Sequence, residues 1–396
     1  MPPTINGDNS PVTSSAKCAV VTGATGFFGS YLVLRLLADG YRVLTVVRNR
    51  HDGEPQDRLE SSLSRAQSVF GLRRPADRSS LLVHRADVTQ PDLALSSDQM
   101  RDLRWRSPEI WHCAADTSLT RQRTDLFRAN LDGTRTLLGF ASSVNARRFH
   151  FLSTCFVSGD FRGRFGEVDL DVGQRFRNAY EESKFGAEQL VSDYYKSTGL
   201  PTTIYRPGII VGDSEHGRTW DFKGFYAVAK LFTILLKSVG LSRLRRIVMD
   251  PCSTAESLPL VPIDYAVQTI VNLAADPASI GRTFFVMPSG SISARTIIDE
   301  MLECLAVSNN AHATGGASGD ALTTGQRQSV IRRLGPFYPY LESRTSYAAS
   351  GADQTAAPVR PLISREFVRK LIVFASSCRW GSMGSGDRRP ALTPLS

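Results

Sequence analysis

A tyrosine and a lysine stand four positions apart in the segment NAYEESKFGAEQ, at Tyr180 and Lys184. Residues four apart lie on the same face of a helix, so the two side chains would be neighbours. A free tyrosine has a pKa of ~10 and donates a proton poorly at neutral pH, whereas a nearby ammonium lowers that pKa. The pair therefore predicts a proton donor and its partner, although the same spacing also occurs by chance in many helices.

A glycine-rich segment, TGATGFFGS, lies near the start of the chain between a short apolar run and a helical pattern. Gly23, Gly26 and Gly29 form the spacing G-x-x-G-x-x-G. Glycine is needed where a tight turn brings backbone N–H groups against a pyrophosphate at the positive end of a helix, because side chains would block that approach. The alternative is a merely tight turn, but the position between strand and helix favours a dinucleotide site.

The second apolar run ends in VVRNR, which bears on the choice of dinucleotide. An acidic residue at this place usually binds the ribose 2′-hydroxyl of NAD, whereas an arginine accommodates the 2′-phosphate of NADP. Arg48 occupies the place, Arg50 is close enough in sequence to assist it, and no acidic residue precedes Asp52. We therefore expect NADPH, with NADH less favoured, unless Arg48 is simply one of many surface arginines.

Alternating strand and helix patterns supply the frame for these residues. Short apolar runs predict strands at CAVVT, YRVLTVV, LLVHRADV, EIWHCAA, RFHFLST and TTIYRP, with helical patterns between them. This alternation predicts an α/β fold with a Rossmann-type, doubly wound parallel sheet and a smaller mixed C-terminal substrate-binding part. In the segment LVPIDYAVQTIVNLA, Asp264 is predicted to cap the start of a helix.

The predicted sheet occupies residues 16–211, and residues 258–290 return to it. The predicted substrate-binding part comprises residues 212–257 and 291–380. Residues 1–15 are expected to form a disordered leader and residues 381–396 a disordered tail.

In such a sheet the ligand lies across the carboxyl ends of the strands, where the strand order reverses. The residues after the third strand, Asp87 and Val88, would then touch the adenine, and the loop CAAD after the fourth would run under the cofactor. The fifth strand delivers Ser153 and Thr154. His112 ends the fourth strand, where an unpaired histidine is more often a packed residue than a base, and we assign it no role.

Composition limits the partners and the location. The chain has 396 residues and a net charge of +9, so its surface favours anionic partners. No basic run with interleaved aromatic residues appears, which argues against nucleic acid. The six cysteines have no metal spacing, so we expect free thiols and no metal site. No segment has the order of a signal peptide or the length of a membrane span, so we expect a cytoplasmic protein.

Together, the glycine motif, the Ser/Thr after the fifth strand and Tyr-x-x-x-Lys resemble the short-chain dehydrogenase/reductase superfamily, and the segments RPGIIVG and LVPIDYA resemble its extended branch. The segments GATGFFGSYLVLRLL, HCAADTSL, NLDGTRTLL, FLSTCFVSG, NAYEESKFGAEQLV and RPGIIVGDSEHGRTWDFKGFY are similar to the group of thioester reductase domains and fatty acyl-CoA reductases, which has a male sterility-like NAD-binding domain. The resemblance is clear over residues 17–286 and weak in the remainder.

The resemblance implies a role for each matched position. The catalytic hydroxyl falls on Thr154, with Ser153 as the alternative, the general acid on Tyr180, and its partner on Lys184. Thr154 would hydrogen-bond the substrate oxygen where negative charge develops. Cofactor contacts are expected at Gly23, Thr25, Gly26, Phe27, Phe28, Gly29, Arg48, Arg50, Asp87, Val88, Ala114, Ala115, Ser153, Tyr180, Lys184, Pro207, Gly208 and Ile209. Substrate contacts are expected at Thr117, Cys155, Phe156, Asp213 and Phe222.

The implied reaction is the NADPH-dependent reduction of an acyl thioester, bound to coenzyme A or a carrier protein, to an aldehyde and on to an alcohol if a second hydride follows. Basic residues on or beside an apolar helix would suit an acidic acyl or peptidyl carrier protein or the phosphates of coenzyme A. The alternative is a solvated basic face over a core helix. These residues are Lys230, Lys237, Arg243, Arg245 and Arg246. We expect a monomer or a homodimer.

Two other interpretations stay open. Extended-family enzymes also oxidise or reduce ketones and hydroxyls, or epimerise or dehydrate nucleotide sugars; the segment TCFVSG offers no acidic pair for dehydration. A non-catalytic dinucleotide-binding sensor or scaffold commonly lacks the tyrosine or the lysine, so the presence of Tyr180 and Lys184 argues against that class.

Overall fold

The computed structural model describes residues 17–49, 53–69, 78–252, 258–288, 292–308, 323–348 and 361–381. The predicted leader, the predicted tail beyond Gly381, and Arg50 lie outside these residues. The strands are β1 (Cys18–Thr22), β2 (Arg42–Val47), β3 (Leu81–Arg85), β4 (Glu109–His112), β5 (Arg148–Leu152), β6 (Gly163–Gly166), β7 (Thr202–Pro207), β8 (Ile209–Val211), β9 (Leu260–Pro262), β10 (Thr283–Val286) and β11 (Thr345–Ala348).

The helices range from one to five turns. They are α1 (Phe27–Ala38), α2 (Pro55–Val69), α3 (Ser97–Arg106), α4 (Arg123–Phe127), α5 (Gly133–Ser143), α6 (Ala179–Thr198), α7 (Phe225–Val239), α8 (Leu241–Cys252), α9 (Ile263–Ala275), α10 (Ala294–Ser308), α11 (Thr324–Leu334) and α12 (Arg365–Ser377). None of the helices that the structure describes combines the length and apolar character needed to cross a bilayer.

Seven strands form one parallel sheet in the order β10-β7-β5-β4-β1-β2-β3. Every residue of β1 and β7 is buried, which explains why these strands read as continuous apolar runs rather than alternating ones. The chain order reverses between β1 and β4, and the carboxyl ends of these two strands therefore flank a crevice. The six predicted strands are confirmed, with ends that differ by at most three residues.

Helices cover both faces of the sheet, so the predicted doubly wound fold is confirmed. On one face, α1, α2 and α9 bury an apolar core that includes Leu32, Leu63 and Ile270. On the other face, the core includes Phe140 from α5 and Val191 from α6. Because the helices cover the two faces, the loops at the carboxyl edge of the sheet are left to build a site.

A third core lies in the C-terminal part and is mostly helical. It is formed by α7, α8, α10, α11 and α12, with Phe232, Leu244, Met301 and Leu371 at its centre. Two short parallel pairs, β8 with β9 and β6 with β11, lie beside the main sheet. Val211, at the end of β8, also packs in this core. The domain boundaries expected from the sequence remain predictions.

The predicted cap at Asp264 is wrong. The residue before α9 is Pro262, and Asp264 lies inside the first turn. Its carboxylate accepts hydrogen bonds from the backbone N–H and the hydroxyl of Ser214, at 3.0 and 2.5 Å. Asp264 therefore anchors the loop that follows β8 instead of closing its own helix.

Candidate functional site

The glycine-rich loop between β1 and α1 is tightly folded. Gly23 has φ +74°, and a Cβ atom there would lie 2.6 Å from the backbone nitrogen of Ala114. A Cβ on Gly29 would lie 2.1 Å from the carbonyl oxygen of Gly23. Only glycine fits both positions, because backbone atoms occupy the space that a side chain would need.

The first turn of α1 fits an anionic ligand. Gly26 precedes the helix and supplies no side-chain cap, and the first turn has no acidic residue. The N–H groups at this end are thus left for a ligand such as a pyrophosphate, at the positive end of the helix dipole. Phe28 is 7% exposed, so only its backbone can face a ligand, while Phe27 packs edge-on against Trp220 at 5.6 Å. Thr25 is half-buried, and its carbonyl accepts from Ser62.

Arg48 lies directly after β2 and is exposed. Its carbonyl oxygen accepts a hydrogen bond from Nη1 of Arg58, at 2.8 Å, and Arg58 belongs to α2. The structure thereby places the guanidinium of Arg58 against the backbone of Arg48. The sequence reasoning missed Arg58, because nothing in the sequence reports how α2 returns towards the end of β2.

The residues after β3 and β4 line the same edge of the sheet. The carboxylate of Asp87 accepts from the N–H and the hydroxyl of Thr89, at 2.9 and 2.8 Å, while Val88 is buried. Ala114 donates its N–H to Thr22 at 3.3 Å, and Ala115 is exposed. All four predicted contacts of this group, Asp87, Val88, Ala114 and Ala115, are therefore at the carboxyl edge.

His112 is part of the packing. Its Nδ1 lies 2.8 Å from the hydroxyl of Thr22, and its Nε2 lies 3.0 Å from the hydroxyl of Thr134. Burial, assisted by the positive charge of Lys184, lowers the pKa of His112 to about 3. The imidazole is therefore neutral at physiological pH and ties β1 and β4 to α5.

Helix α6 positions the tyrosine and the lysine. Asn178 caps the helix, since its side chain accepts from the N–H of Glu181 at 3.0 Å. Lys184 is 2% exposed; its Nζ donates to the carbonyl of Leu152 at 2.8 Å and lies 4.1 Å from the centre of the Phe151 ring. Burial lowers the pKa of Lys184 to about 8, against the opposing effect of the Glu188 carboxylate.

Thr154 and Tyr180 meet at the end of β5. Thr154 is extended and caps a short 3-10 turn, so its oxygen accepts from the N–H of Phe156 at 3.3 Å. Its hydroxyl also interacts with the hydroxyl of Tyr180. A threonine hydroxyl carries one proton of its own, which it can donate to the tyrosine oxygen.

The predicted lowering of the tyrosine pKa by Lys184 is wrong for this structure. Burial raises the pKa of Tyr180 above its usual value, and the interaction with Thr154 only partly opposes that shift. The Lys184 ammonium instead donates to Leu152. Tyr180 is therefore fully protonated at neutral pH.

Ser153 has a different environment. Its hydroxyl donates to Glu188 at 2.5 Å, and the other oxygen of Glu188 accepts from Nε of Arg206 at 2.9 Å. All three side chains are at most 5% exposed. The structure thus pairs Thr154 with Tyr180 and leaves Ser153 in a buried ionic network.

Asn130 is a residue that the sequence reasoning missed. It lies in a π-helical turn, Arg128–Asp132, between α4 and α5. Its amide donates to the carbonyl of Asp116 at 3.0 Å and to the hydroxyl of Ser183 at 2.9 Å, and its oxygen accepts from the N–H of Asp116 at 2.7 Å. Asn130 therefore ties the loop after β4 to α6; π turns often mark functional sites, but no periodicity reveals them.

Gly208 lies directly after β7, where the backbone of Pro259 approaches closely. A Cβ there would lie 2.0 Å from the carbonyl oxygen of Pro259, and the N–H of Ile209 donates to that same oxygen at 2.7 Å. Pro207 is buried at the end of β7. The predicted cofactor contacts Pro207, Gly208 and Ile209 therefore lie at the carboxyl end of β7.

Two of the five predicted substrate contacts need correction. Cys155 is 0% exposed and packs with Val157, Phe165 and Phe285, so its side chain reaches no ligand. Asp213 is also buried. Its carboxylate accepts from the N–H groups of Glu215, His216 and Arg218 at 2.7–3.1 Å, which makes it an organiser of its own loop.

The other three predicted substrate contacts have accessible surface. Thr117 is exposed in the loop after β4. Phe156 is half-buried, and its ring meets that of Tyr340 edge-on at 5.1 Å. Phe222 is half-buried and meets Tyr226 edge-on at 5.8 Å. Among the residues that the structure describes, no cluster of three or more His, Cys, Asp or Glu side chains is placed to hold a metal ion.

The sheet order, the glycine loop and the helix that carries Tyr180 and Lys184 define an NAD(P)-dependent oxidoreductase of the extended short-chain dehydrogenase/reductase class. The sequence profile of the family described as Male sterility protein matches residues 21–270, which is more than half of the chain. The protein belongs to that NAD-binding family.

One curated relative is the non-canonical nonribosomal peptide synthetase cpsA of Aspergillus campestris. It is 28% identical over 282 residues, which cover 68% of this chain and 25% of the relative. This chain thus spans about a quarter of that relative's length.

Two solved structures share the fold. The terminal R domain from the myxalamid PKS-NRPS biosynthetic pathway has a TM-score of 0.67 and 22% identity, and the match covers 93% of each chain. A thiolation-reductase di-domain from an archaeal non-ribosomal peptide synthetase has a TM-score of 0.63 and 19% identity, with 93% of this chain and 92% of that chain covered.

Proposed function

We propose that this protein is an NADPH-dependent reductase that converts an acyl thioester to an aldehyde. The observation that carries the proposal is the contact between Thr154 and Tyr180 at the carboxyl end of β5, beside the buried Lys184. This arrangement stands at the edge where the glycine loop would hold a dinucleotide. The relationship to reductase domains of peptide synthetases supports the thioester as the substrate.

Tyr180 and Thr154 have separate roles in the proposed reaction. Tyr180 is protonated at neutral pH, as a tyrosine of ordinary pKa also is, and burial raises its pKa further. As negative charge develops on the thioester oxygen, the Tyr180 hydroxyl donates its proton, and the Thr154 hydroxyl keeps the tyrosine oriented. The carbon–sulfur bond of the resulting thiohemiacetal then breaks, the thiol leaves with the hydroxyl proton, and an aldehyde remains. When bound, the nicotinamide supplies the hydride.

The preference for NADPH rests on Arg48 with Arg58. Both guanidinium groups belong to the region that follows β2, where a ribose 2′-phosphate would lie. Guanidinium groups suit phosphate because their planar N–H forks match its oxygens. The first turn of α1 and the backbone of Gly23 to Gly29 would hold the pyrophosphate.

An acidic carrier protein is the partner that the outer face of α7 fits best. Lys230 and Lys237 are exposed there, and Ile234 between them is 52% exposed. Arg245 contributes less than its sequence position suggests, because Asp299 and Glu303 each pair with it at 2.5 Å. A basic rim around an exposed isoleucine would suit a carrier that presents acidic and apolar side chains.

A substrate panel tests the proposal. The purified protein is incubated with NADPH or NADH and with acyl-CoA, acyl-carrier, aldehyde and ketone substrates, and the absorbance of the reduced cofactor is followed. We expect thioester turnover that is faster with NADPH, and Tyr180→Phe should lower kcat by about 10²- to 10⁴-fold. Tyr194→Phe, on the same helix, is the matched control and should keep the rate.

Three results would contradict parts of the proposal. Reduction of aldehydes or ketones without thioester turnover would exclude the thioester as the substrate. Faster turnover with NADH would remove the role of Arg48. Full activity of Tyr180→Phe would remove the assigned proton donor.

A further inference from the structure

An open cavity of about 360 Å³ lies in the C-terminal part, between α8, α10 and α12. None of its lining residues belongs to the candidate active site. Four guanidinium groups and a single carboxylate face it. The lining residues are Ser242, Arg245, Arg246, Met249, Arg295, Thr296, Asp299 and Arg365.

All three helices contribute residues of their first turn to the cavity. Ser242 is the second residue of α8, Arg295 and Thr296 are the second and third of α10, and Arg365 is the first of α12. The N-terminus of a helix is its positive end, so an arginine there is electrostatically unfavourable. An anion between these helices would offset that cost for Arg295, whereas Arg365 is already paired with Asp299 and Glu300.

The carboxylate in the lining is already neutralised. Asp299 accepts from Arg245 through one oxygen, at 2.5 and 3.0 Å, and from Arg365 through the other, at 3.4 and 3.5 Å. Arg365 also pairs with Glu300 at 3.1 Å. These ion pairs hold the two arginines in place around the cavity, and they leave Asp299 little capacity to repel an anion.

The other two arginines are differently placed. Arg246 and Arg295 are exposed, and in the part of the chain that the structure describes neither of them forms an ion pair. Both line the cavity, together with the hydroxyl-bearing side chains of Ser242 and Thr296. The lining therefore presents two guanidinium groups that form no ion pair in the described residues, and two hydroxyl groups, all carried by helices.

We propose that this cavity is a second anion site, which binds a phosphate or diphosphate group. Phosphate oxygens accept paired N–H bonds from arginine, and several arginines are needed to balance more than one negative charge. Two sources share this chemistry: the phosphates of a coenzyme A thioester, and a free phosphate or diphosphate anion. This proposal can be tested independently of the proposed reaction, because anion binding is measured without turnover.

Isothermal titration calorimetry at low ionic strength tests the site with inorganic phosphate, diphosphate, coenzyme A and coenzyme A lacking its 3′-phosphate. We expect diphosphate to bind, and the double variant Arg246→Gln/Arg295→Gln to weaken binding at least tenfold. Lys230→Gln/Lys237→Gln removes the same charge from α7 and should leave the affinity unchanged. Arg48→Gln, which removes a cation from the dinucleotide region, should also leave it unchanged.

The outcomes separate the sources and the sites. Loss of affinity when the 3′-phosphate is removed assigns the cavity to coenzyme A, and equal binding of free diphosphate and both coenzyme forms assigns it to a diphosphate group. Diphosphate binding that depends on Arg48 and not on Arg246 and Arg295 would overturn the proposal, as would the absence of binding by all four compounds. A circular dichroism spectrum equal to that of the parent protein shows that the double variant is folded.

Discussion

Two opposing effects act on the ammonium group of Lys184. Burial disfavours its charged form, while the carbonyl of Leu152 at 2.8 Å and the face of the Phe151 ring stabilise it. The resulting pKa is about 8. We propose that the ammonium of Lys184 holds the ribose of the cofactor, and this role requires its positive charge. Binding of the cofactor should therefore depend on pH within the physiological range.

We expect the affinity for NADPH to fall as the pH rises through about 8, because Lys184 then loses its proton and its charge. Fluorescence titration of the reduced cofactor between about pH 6 and 9.5 measures this dependence. Lys184→Met should bind more weakly at low pH and show no decline near the lysine pKa. A decline of the same size in Lys184→Met would mean that another group titrates.

The packing of helix α1 against the loop before it requires glycine at Gly23 and Gly29. Backbone atoms of Gly23 lie where a Cβ on Gly29 would have to be, at 2.1 Å from the oxygen and 2.7 Å from the carbon. Helix α5 offers the opposite case. A Cβ on Gly139 would meet no atom within 4 Å. The two positions thus separate a glycine that the fold requires from one that it merely tolerates.

Gly29→Ala should weaken cofactor binding at least tenfold and lower the free energy of unfolding by about 1–3 kcal/mol, because the helix must move away from the loop. Gly139→Ala should leave binding unchanged and stabilise the protein by about 0.5–1 kcal/mol, since alanine favours the helix. Urea unfolding and cofactor titration measure both effects. Unchanged binding by Gly29→Ala would show that the loop is not the phosphate cradle.

At the scale of the whole molecule, the segment 335–348 joins the C-terminal part to the catalytic helix. Tyr340 accepts a hydrogen bond from the amide of Asn178 at 2.8 Å, and burial together with the nearby carboxylate of Glu181 raises the pKa of Tyr340. Arg177 pairs with Glu181 at 3.3 Å and donates to Ser343 at 3.3 Å. These contacts surround the start of α6, one residue from Tyr180.

Tyr340→Phe should lower the free energy of unfolding by about 1–3 kcal/mol, because it leaves the buried Glu181 and Asn178 short of a partner. We also expect a larger KM for the thioester, since the Tyr340 ring packs against Phe156 at 5.1 Å beside the site. Tyr338→Phe, in the same segment, is the control and should change stability by under about 0.5 kcal/mol, because the half-buried side chain keeps its ring against the C-terminal core. Equal stability of the two variants would show that the contacts around Tyr340 contribute nothing.

The sequence by itself determined the order of strands and helices, the glycine loop and the Tyr180–Lys184 pair. Each of these depends on local physics: the period of burial along an element, the backbone freedom of glycine, and the spacing of residues on one helical face. The same reasoning gave no bounds for α2 and α3, whose patterns are weakly apolar, and it missed the short strands β6 and β11, which pair across about 180 residues.

Only the tertiary structure decided which partner each of two neighbouring residues contacts. It paired Thr154 with Tyr180 and placed Ser153 on Glu188, although the two residues are adjacent in the chain. It buried Cys155 and gathered four arginines from three helices around one cavity. These outcomes depend on side-chain direction and on contacts between distant elements, and a one-dimensional pattern carries neither of them.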